Sequence, residues 1–375
     1  WVRLASFRAS ALAMVGRAPE AVESATKIHS TYPPDSQDLS SHPSARSSVL
    51  VQALTEAGRL AEAVRVGREA FDDLVTAGLP NPRLWLAVFL GRAEWLAGHP
   101  RSARQWFTEA IGLGQRIDHL GALRLALSGV AACLSVLGDM SGAQAALAAL
   151  DRLPAQNCGL LAAGESKLGE AWLQAAKGRL VQAREILTAA AENARTSGHV
   201  AGEAQLLTDI ARLGGAREVA GRLAELAASD DSEFTTARAQ FADGLARSDA
   251  GALASAAATC EAMGAHLMAA EADTIAAGAW RRAGFQHRSA GAAGRVSTLL
   301  ARCEDARTPL LGLADVALVL TEREREIALF AAGRASSRDI AKALSISVRT
   351  VDNHLQRIYA KLGVTSRGDL ADAIG

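Results

Sequence analysis

The chain is poor in aromatic residues, which make up 4% of its 375 positions and include only two tyrosines. Aromatic and β-branched side chains are what a pleated sheet packs with, so the shortage argues against a β-sandwich. Alanine and leucine dominate instead, and glycines are scattered singly, which favours helices that approach closely through small residues. No run approaches the roughly 18 to 20 uninterrupted apolar residues that a membrane span requires. The N-terminal WVRLASFRAS lacks a secretory pattern. The four cysteines, Cys133, Cys158, Cys260 and Cys303, are too far apart for a CxxC metal or redox motif and read as buried thiols in a reducing compartment, the cytoplasm. Forty basic and forty acidic residues cancel, so bulk charge names no partner. There is no GxxxxGK[ST] phosphate loop, no HExxH, no GxSxG and no clustered carboxylate set, so the expectation is that this chain is not an enzyme.

What is present is a hydrophobic content of 49% against 21% charged residues, enough to bury a large core. The length suits a helical repeat array followed by a small module. Four segments share one phase: AGRLAEAVRVGREA (57–70), AGHPRSARQWFTEA (97–110), LGDMSGAQAALAAL (137–150) and KGRLVQAREILTAA (177–190). Their glycines, Gly58, Gly98, Gly138 and Gly178, recur every 40 residues, and Ala63, Ala103, Ala143 and Ala183 follow each by five. A weaker copy precedes them at Gly16 and Ala21. Two degraded copies follow at Gly215 with Ala220 and at Gly284 near Ala290, and a further one near Ser248 lacks the glycine.

The pattern has a physical reading. One helix ends at the glycine, which tolerates a left-handed cap, and the next carries alanine where the two helices cross. Such a pair cannot hide its apolar face alone, so neighbours stack into a solenoid. The array resembles the tetratricopeptide-like repeats over roughly residues 10 to 300, with a longer period than that family's usual one. Trp85, Trp95, Trp106, Trp172 and Trp280 suit either a ligand-lining groove or the core. A solenoid's concave surface is a place for a small-molecule or protein effector.

The repeat pattern fades after Cys303. Segment 304–319 contains Pro309 and no clean period, and reads as a linker. Residues 320–375 hold four expected helices. The first opens on a capping box, Thr321 with Glu324, and the second on another, Ser336 with Asp339. The third runs from Ser347 to Leu362, with Val348, Val351, Leu355, Ile358 and Leu362 as its buried stripe. The fourth covers roughly residues 366–374. A tight turn at Ser345–Ile346 joins the second and third helices into a helix-turn-helix.

LTERERE (320–326), SSRDIAKALSIS (336–347) and TVDNHLQRIYAKLGVTSR (350–367) together resemble the LuxR-type (NarL/FixJ-type) helix-turn-helix family. The resemblance implies an all-α protein whose third tail helix enters the major groove of double-stranded DNA while the second braces it. Three departures stand out. The family's usual glycine before the second helix is Arg334 here, with Gly333 one residue earlier. Its common asparagine at the head of that helix is Ser337, and a usual basic position of the recognition helix is Asp352.

Within that frame Ser347 and Thr350 are expected to hold phosphate beside free backbone N–H groups. Asn353 and Gln356 present amides that pair with adenine, while Arg349 or Arg357 reaches guanine or phosphate, and Asp352 can accept from cytosine. Ser336, Ser337, Arg338 and Lys361 complete the expected DNA contacts, with His354 a packing residue. Nine basic and seven acidic residues leave the module at only +2, so a homodimer or higher oligomer reading paired half-sites is expected. The family's usual dimer helix would put Leu370 and Ala373 against the partner.

The domain order, 1–303 repeats, 304–319 linker and 320–375 reader, resembles the large ATP-dependent, MalT-like LuxR regulators. That likeness implies a signal-sensing array and an ATP-binding domain upstream of this chain. The alternative is a helical-repeat scaffold whose tail has lost productive DNA binding.

Overall fold

A computed structural model describes residues 2–30, 46–78, 80–117, 120–154, 164–316, 320–362, 364, 366–368 and 370. All regular secondary structure among these is helical. Eight antiparallel pairs build the array: α1 (Val2–Met14) with α2 (Ala18–Ser30), α3 (Ser47–Glu56) with α4 (Leu60–Thr76), α5 (Pro80–Ala97) with α6 (Pro100–Ile117), and α7 (Leu120–Val136) with α8 (Met140–Asp151). They continue as α9 (Leu168–Ala176) with α10 (Leu180–Thr196), α11 (Val200–Ile210) with α12 (Ala216–Ser229), α13 (Glu233–Arg247) with α14 (Ala250–Ala262), and α15 (His266–Arg282) with α16 (Gln286–Leu300). Then come α17 (Pro309–Val316), α18 (Glu322–Ala332), α19 (Ser337–Ala343) and α20 (Val348–Leu362).

The forty-residue beat is the pair repeat. Gly16, Gly58, Gly98, Gly138 and Gly178 all have φ between +72° and +88°, a region that penalises any side chain. Ala21, Ala63, Ala103, Ala143 and Ala183 are fully buried at the crossings. Ser248, with φ +53°, takes the left-handed cap without a glycine. Two expected registers shift. Gly214, not Gly215, is left-handed, inside a π-turn over 211–215, so the crossing residue is Val219 instead of Ala220. After Gly284 the buried position is Ser289, whose hydroxyl donates to the Ala277 carbonyl; Ala290 is exposed. The tryptophans join the core: Trp95 meets Trp172 edge-to-face at 5.7 Å, and Trp106 meets Phe71 at 5.0 Å.

The array coils far enough that its second turn lies on its first. Asp231 N–H donates to Gly16 O (3.2 Å), Leu60 N–H to Met263 O (3.3 Å), and Arg307 N–H to Val136 O (2.7 Å). The segment read as a linker takes part in this. Arg101 pairs with Asp305 at 2.6 Å, and α17 packs on α15. Pro309 starts α17 because its missing N–H and fixed φ suit the first helical position, and Thr308 accepts from Leu311 N–H at 3.4 Å.

Three cysteines, Cys133, Cys260 and Cys303, are free and buried; Cys158 lies outside the described residues. Burial raises the Cys260 and Cys303 thiols to about 12, so neither is a ready nucleophile. No described helix is long and apolar enough to cross a membrane.

Candidate nucleic-acid interface

Both expected capping boxes are present. Glu324 N–H donates to Thr321 Oγ1 (3.3 Å) while Thr321 N–H donates to Glu324 (2.8 Å). Ser336 and Asp339 repeat the arrangement at 3.2 and 3.1 Å. These caps set where α18 and α19 begin, and hence where α20 points. The left-handed Ser345 (φ +52°) turns the chain from α19 into α20, and the Ile346 N–H returns to Ala341 O at 3.0 Å. From the other side Arg323 donates to the Leu344 carbonyl at 2.7 Å, so the turn is held by α18 as well.

Val351, Leu355 and Ile358 are buried against the domain core, which fixes the roll of α20. The opposite face is open: Ser347, Arg349, Asp352, Asn353, Gln356 and Arg357 are all exposed, with Thr350 half-buried at the edge. Ser347 caps the helix, its hydroxyl accepting from Thr350 N–H at 3.1 Å and lying 2.8 Å from Thr350 Oγ1. Ser336 and Arg338 lie exposed at the start of α19. The Lys361 side chain, Ala373 and Gly363 fall outside the described detail, as does most of the fourth expected helix; Arg367, Gly368 and Leu370 are helical there.

Three placements differ from the expectation. Val348, assigned to the buried stripe, is 40% exposed at the first position of α20. Ser337 is half-buried, and its hydroxyl accepts from Arg367 at 3.1 Å while Arg367 also donates to Ala335 O at 2.9 Å. Leu370, expected at a partner contact, is fully buried in this chain's own core. Its burial leaves it no surface for a partner in this arrangement. His354 is half-buried in the domain, as a packing residue would be.

The array holds a second polar assembly. Arg92 is buried and bonds Glu56 of α3 (2.5 Å), Glu165 (2.8 Å) and Gln205 of α11 (3.0 Å). Burial opposes its charge, but the two carboxylates outweigh that and raise the guanidinium above its ordinary value. Glu56 Oε2 and Gln205 Nε2 are buried without a hydrogen-bond partner, beside a cavity of about 40 Å³ walled by Phe89, Trp95, Phe107 and Leu125. Nearby, Arg212 bonds Asp209 and Glu271, each at 2.8 Å, and lies over the Trp172 ring at 4.7 Å. No group of three or more potential metal ligands occurs among the described residues.

Residues 318–374 match the family of bacterial regulatory proteins, luxR family. Over 53 residues the chain is 47% identical to the putative HTH-type transcriptional regulators Mb0914c of Mycobacterium bovis and Rv0890c of Mycobacterium tuberculosis, a match covering 14% of this chain and 6% of each relative. The transcriptional regulatory protein TdiR of Thauera aromatica is 46% identical over 56 residues, 15% of this chain and 25% of its own. These matches thus span a small part of each relative. A crystal structure of Rap protein complexed with competence and sporulation factor is similar with TM-score 0.43 and 13% identity, over 100% of this chain and 95% of that one. The C-terminal helices with their caps, turn and open face are a LuxR-family helix-turn-helix domain.

Proposed function

We propose that this chain is part of a DNA-binding transcription regulator that reads double-stranded DNA through the outer face of α20. The observation that carries the reading is the division of α20 itself. Its apolar side is buried in a LuxR-family domain, and its other side displays Arg349, Asn353, Gln356 and Arg357 with no covering element among the described residues. Amide side chains at that spacing suit adenine edges, and guanidinium groups suit guanine or phosphate. Exposed Val348 adds an apolar contact fit for a thymine methyl. Asp352 selects against phosphate proximity and for a cytosine amino group.

The repeat array is the sensing region in this reading. The Arg92 chamber, with one unsatisfied carboxylate oxygen and one unsatisfied amide nitrogen, has room at about 40 Å³ for ordered water bridging those two groups, so an effector would have to widen it or bind elsewhere on the array. A homodimer would double the contact and compensate for the domain's charge of only +2. The test is selection of duplexes from a random library by the whole chain, followed by anisotropy titration. Recovery of a consensus motif supports the reading; recovery of none removes it.

A further inference from the structure

Five of the left-handed glycines that end the first helix of a pair, Gly16, Gly58, Gly98, Gly138 and Gly178, also face parts of the molecule distant along the chain. A Cβ placed on Gly16 would lie 2.6 Å from Asp230 Cβ, one on Gly58 3.0 Å from Met263 Sδ, and one on Gly98 2.5 Å from Leu267 Cβ. The following turn, at Gly138, looks onto Arg307 Nη1 at 3.8 Å. The next glycine in the series, Gly178, faces the DNA-binding domain. A Cβ on Gly178 would lie 2.9 Å from Gly333 Cα, and one on Gly333 would lie 1.5 Å from the Gly178 carbonyl oxygen. The reader domain therefore occupies the position that a further repeat would take.

Gly333 itself needs no glycine for its backbone, since its φ of −70° and ψ of 12° suit any residue. Arg334, where the family resemblance puts glycine, carries the left-handed turn at φ +58°. The glycine has thus been spent one residue early, at the point of closest approach to the array. A second contact lies beside it: the Arg184 guanidinium of α10 sits 4.9 Å over the Phe330 ring of α18. Arg184 also reaches Glu218 at 3.7 Å and borders the π-turn at Gly215, so one side chain touches both the kink in the array and the reader. The rest of the seam is incompletely filled, with a cavity of about 90 Å³ between Gly214 and Ala216 on the array and Glu326 and Leu329 on α18. On the α10 side the contact accordingly depends on the glycine pair and the Arg184–Phe330 stack, with Leu310 of α17 bordering the same seam.

We propose that the array carries a built docking surface for its own DNA-binding domain, with Gly333 serving docking instead of the helix-turn-helix turn. Array and reader then move as one body, and a change of curvature at the π-turn reaches α18 through Arg184. The outer face of α20 stays open in this pose, so docking orients the reader without covering it. The inference stands apart from the DNA reading, because its test uses no DNA.

Hydrogen exchange on the whole chain tests it, comparing wild type with Gly333→Ala and Arg184→Ala. Alanine at 333 fits the local backbone, and Arg184→Ala leaves the reader's own sequence untouched, so misfolding of the domain is not a common cause. Both variants are expected to speed exchange of α18–α20 amides by at least about fivefold, with α1–α8 unchanged. If either variant leaves α18–α20 exchange at the wild-type rate, the docking surface is refuted.

Discussion

Arg367 and Ser337 are joined by a 3.1 Å hydrogen bond, and the same guanidinium donates to Ala335 O at 2.9 Å. The segment after α20 is thereby tied to the start of α19. Ser337 is a strut of the domain as well as an expected DNA contact. Arg367→Ala should destabilise the reader by about 1–3 kcal/mol, because it orphans a half-buried carbonyl and hydroxyl. Ser337→Ala should cost less, about 1 kcal/mol. Urea unfolding followed by hydrogen exchange in α19 measures both; equal losses would mean that the strut contributes nothing beyond Ser337.

Asn353→Ala should relax sequence preference, since it removes a group aimed at base edges, with a loss of about 1–3 kcal/mol on the preferred duplex and little on others. Lys361→Ala should weaken all duplexes evenly and lower the salt slope by about 1. Competition titrations with preferred and scrambled duplexes separate the two. Identical, sequence-independent losses would show that Asn353 does not read a base.

Arg92→Ala should be among the most damaging changes in the array. It would leave buried Glu56 and half-buried Glu165 without the guanidinium that bridges them, at a cost of about 3–5 kcal/mol. A triple change of Arg92→Met, Glu56→Gln and Glu165→Gln should recover most of that loss, because it removes the charges together. Thermal unfolding of the two variants decides the point, and an equal deficit in both would show that packing, not charge, is what Arg92 supplies.

Much of the fold was legible because glycine and alanine have position-specific physics. A left-handed cap every 40 residues is written in the glycines themselves. The copy near Ser248 was legible without a glycine, and the structure caps it there; the register shifted instead where adjacent Gly214 and Gly215 could not be told apart by type, and after Gly284, where Ser289 takes the buried place. Helix α17 was hidden because its proline reads as a breaker, although the first helical position welcomes it. In the reader, caps and stripe followed from residue type and spacing. The Arg367 strut, the exposure of Val348 and the Gly178–Gly333 approach depend on long-range placement, which no local pattern encodes.

Acidification should loosen the array where its turns meet. Burial would raise the Glu94 carboxyl, but hydrogen bonds from His99 and Arg68 outweigh it and hold the group below its ordinary value. Burial, with His99 and Arg302 nearby, lowers His266. A depressed carboxylate stabilises the fold above its unfolded pKa, and that contribution is lost as pH falls through the folded value. A depressed histidine favours the neutral form, so stability also falls as pH drops below about 6.5. Thermal midpoints should therefore decline from pH 7 downward, and His266→Gln should flatten the upper part of that decline. A midpoint independent of pH between 7 and 5 in wild type would contradict this.

DNA binding by the open face of α20 is tested most directly by a salt titration of the whole chain against its selected duplex. Arg338, Arg349, Arg357 and Lys361 supply four basic groups, so log K should fall with log salt at a slope of roughly −3 to −4 for one copy. A joint Arg349→Ala, Asn353→Ala and Gln356→Ala change should abolish the preference for the selected duplex. No binding to any duplex, or binding indifferent to salt and to those three residues, would contradict the account and favour a protein-binding scaffold.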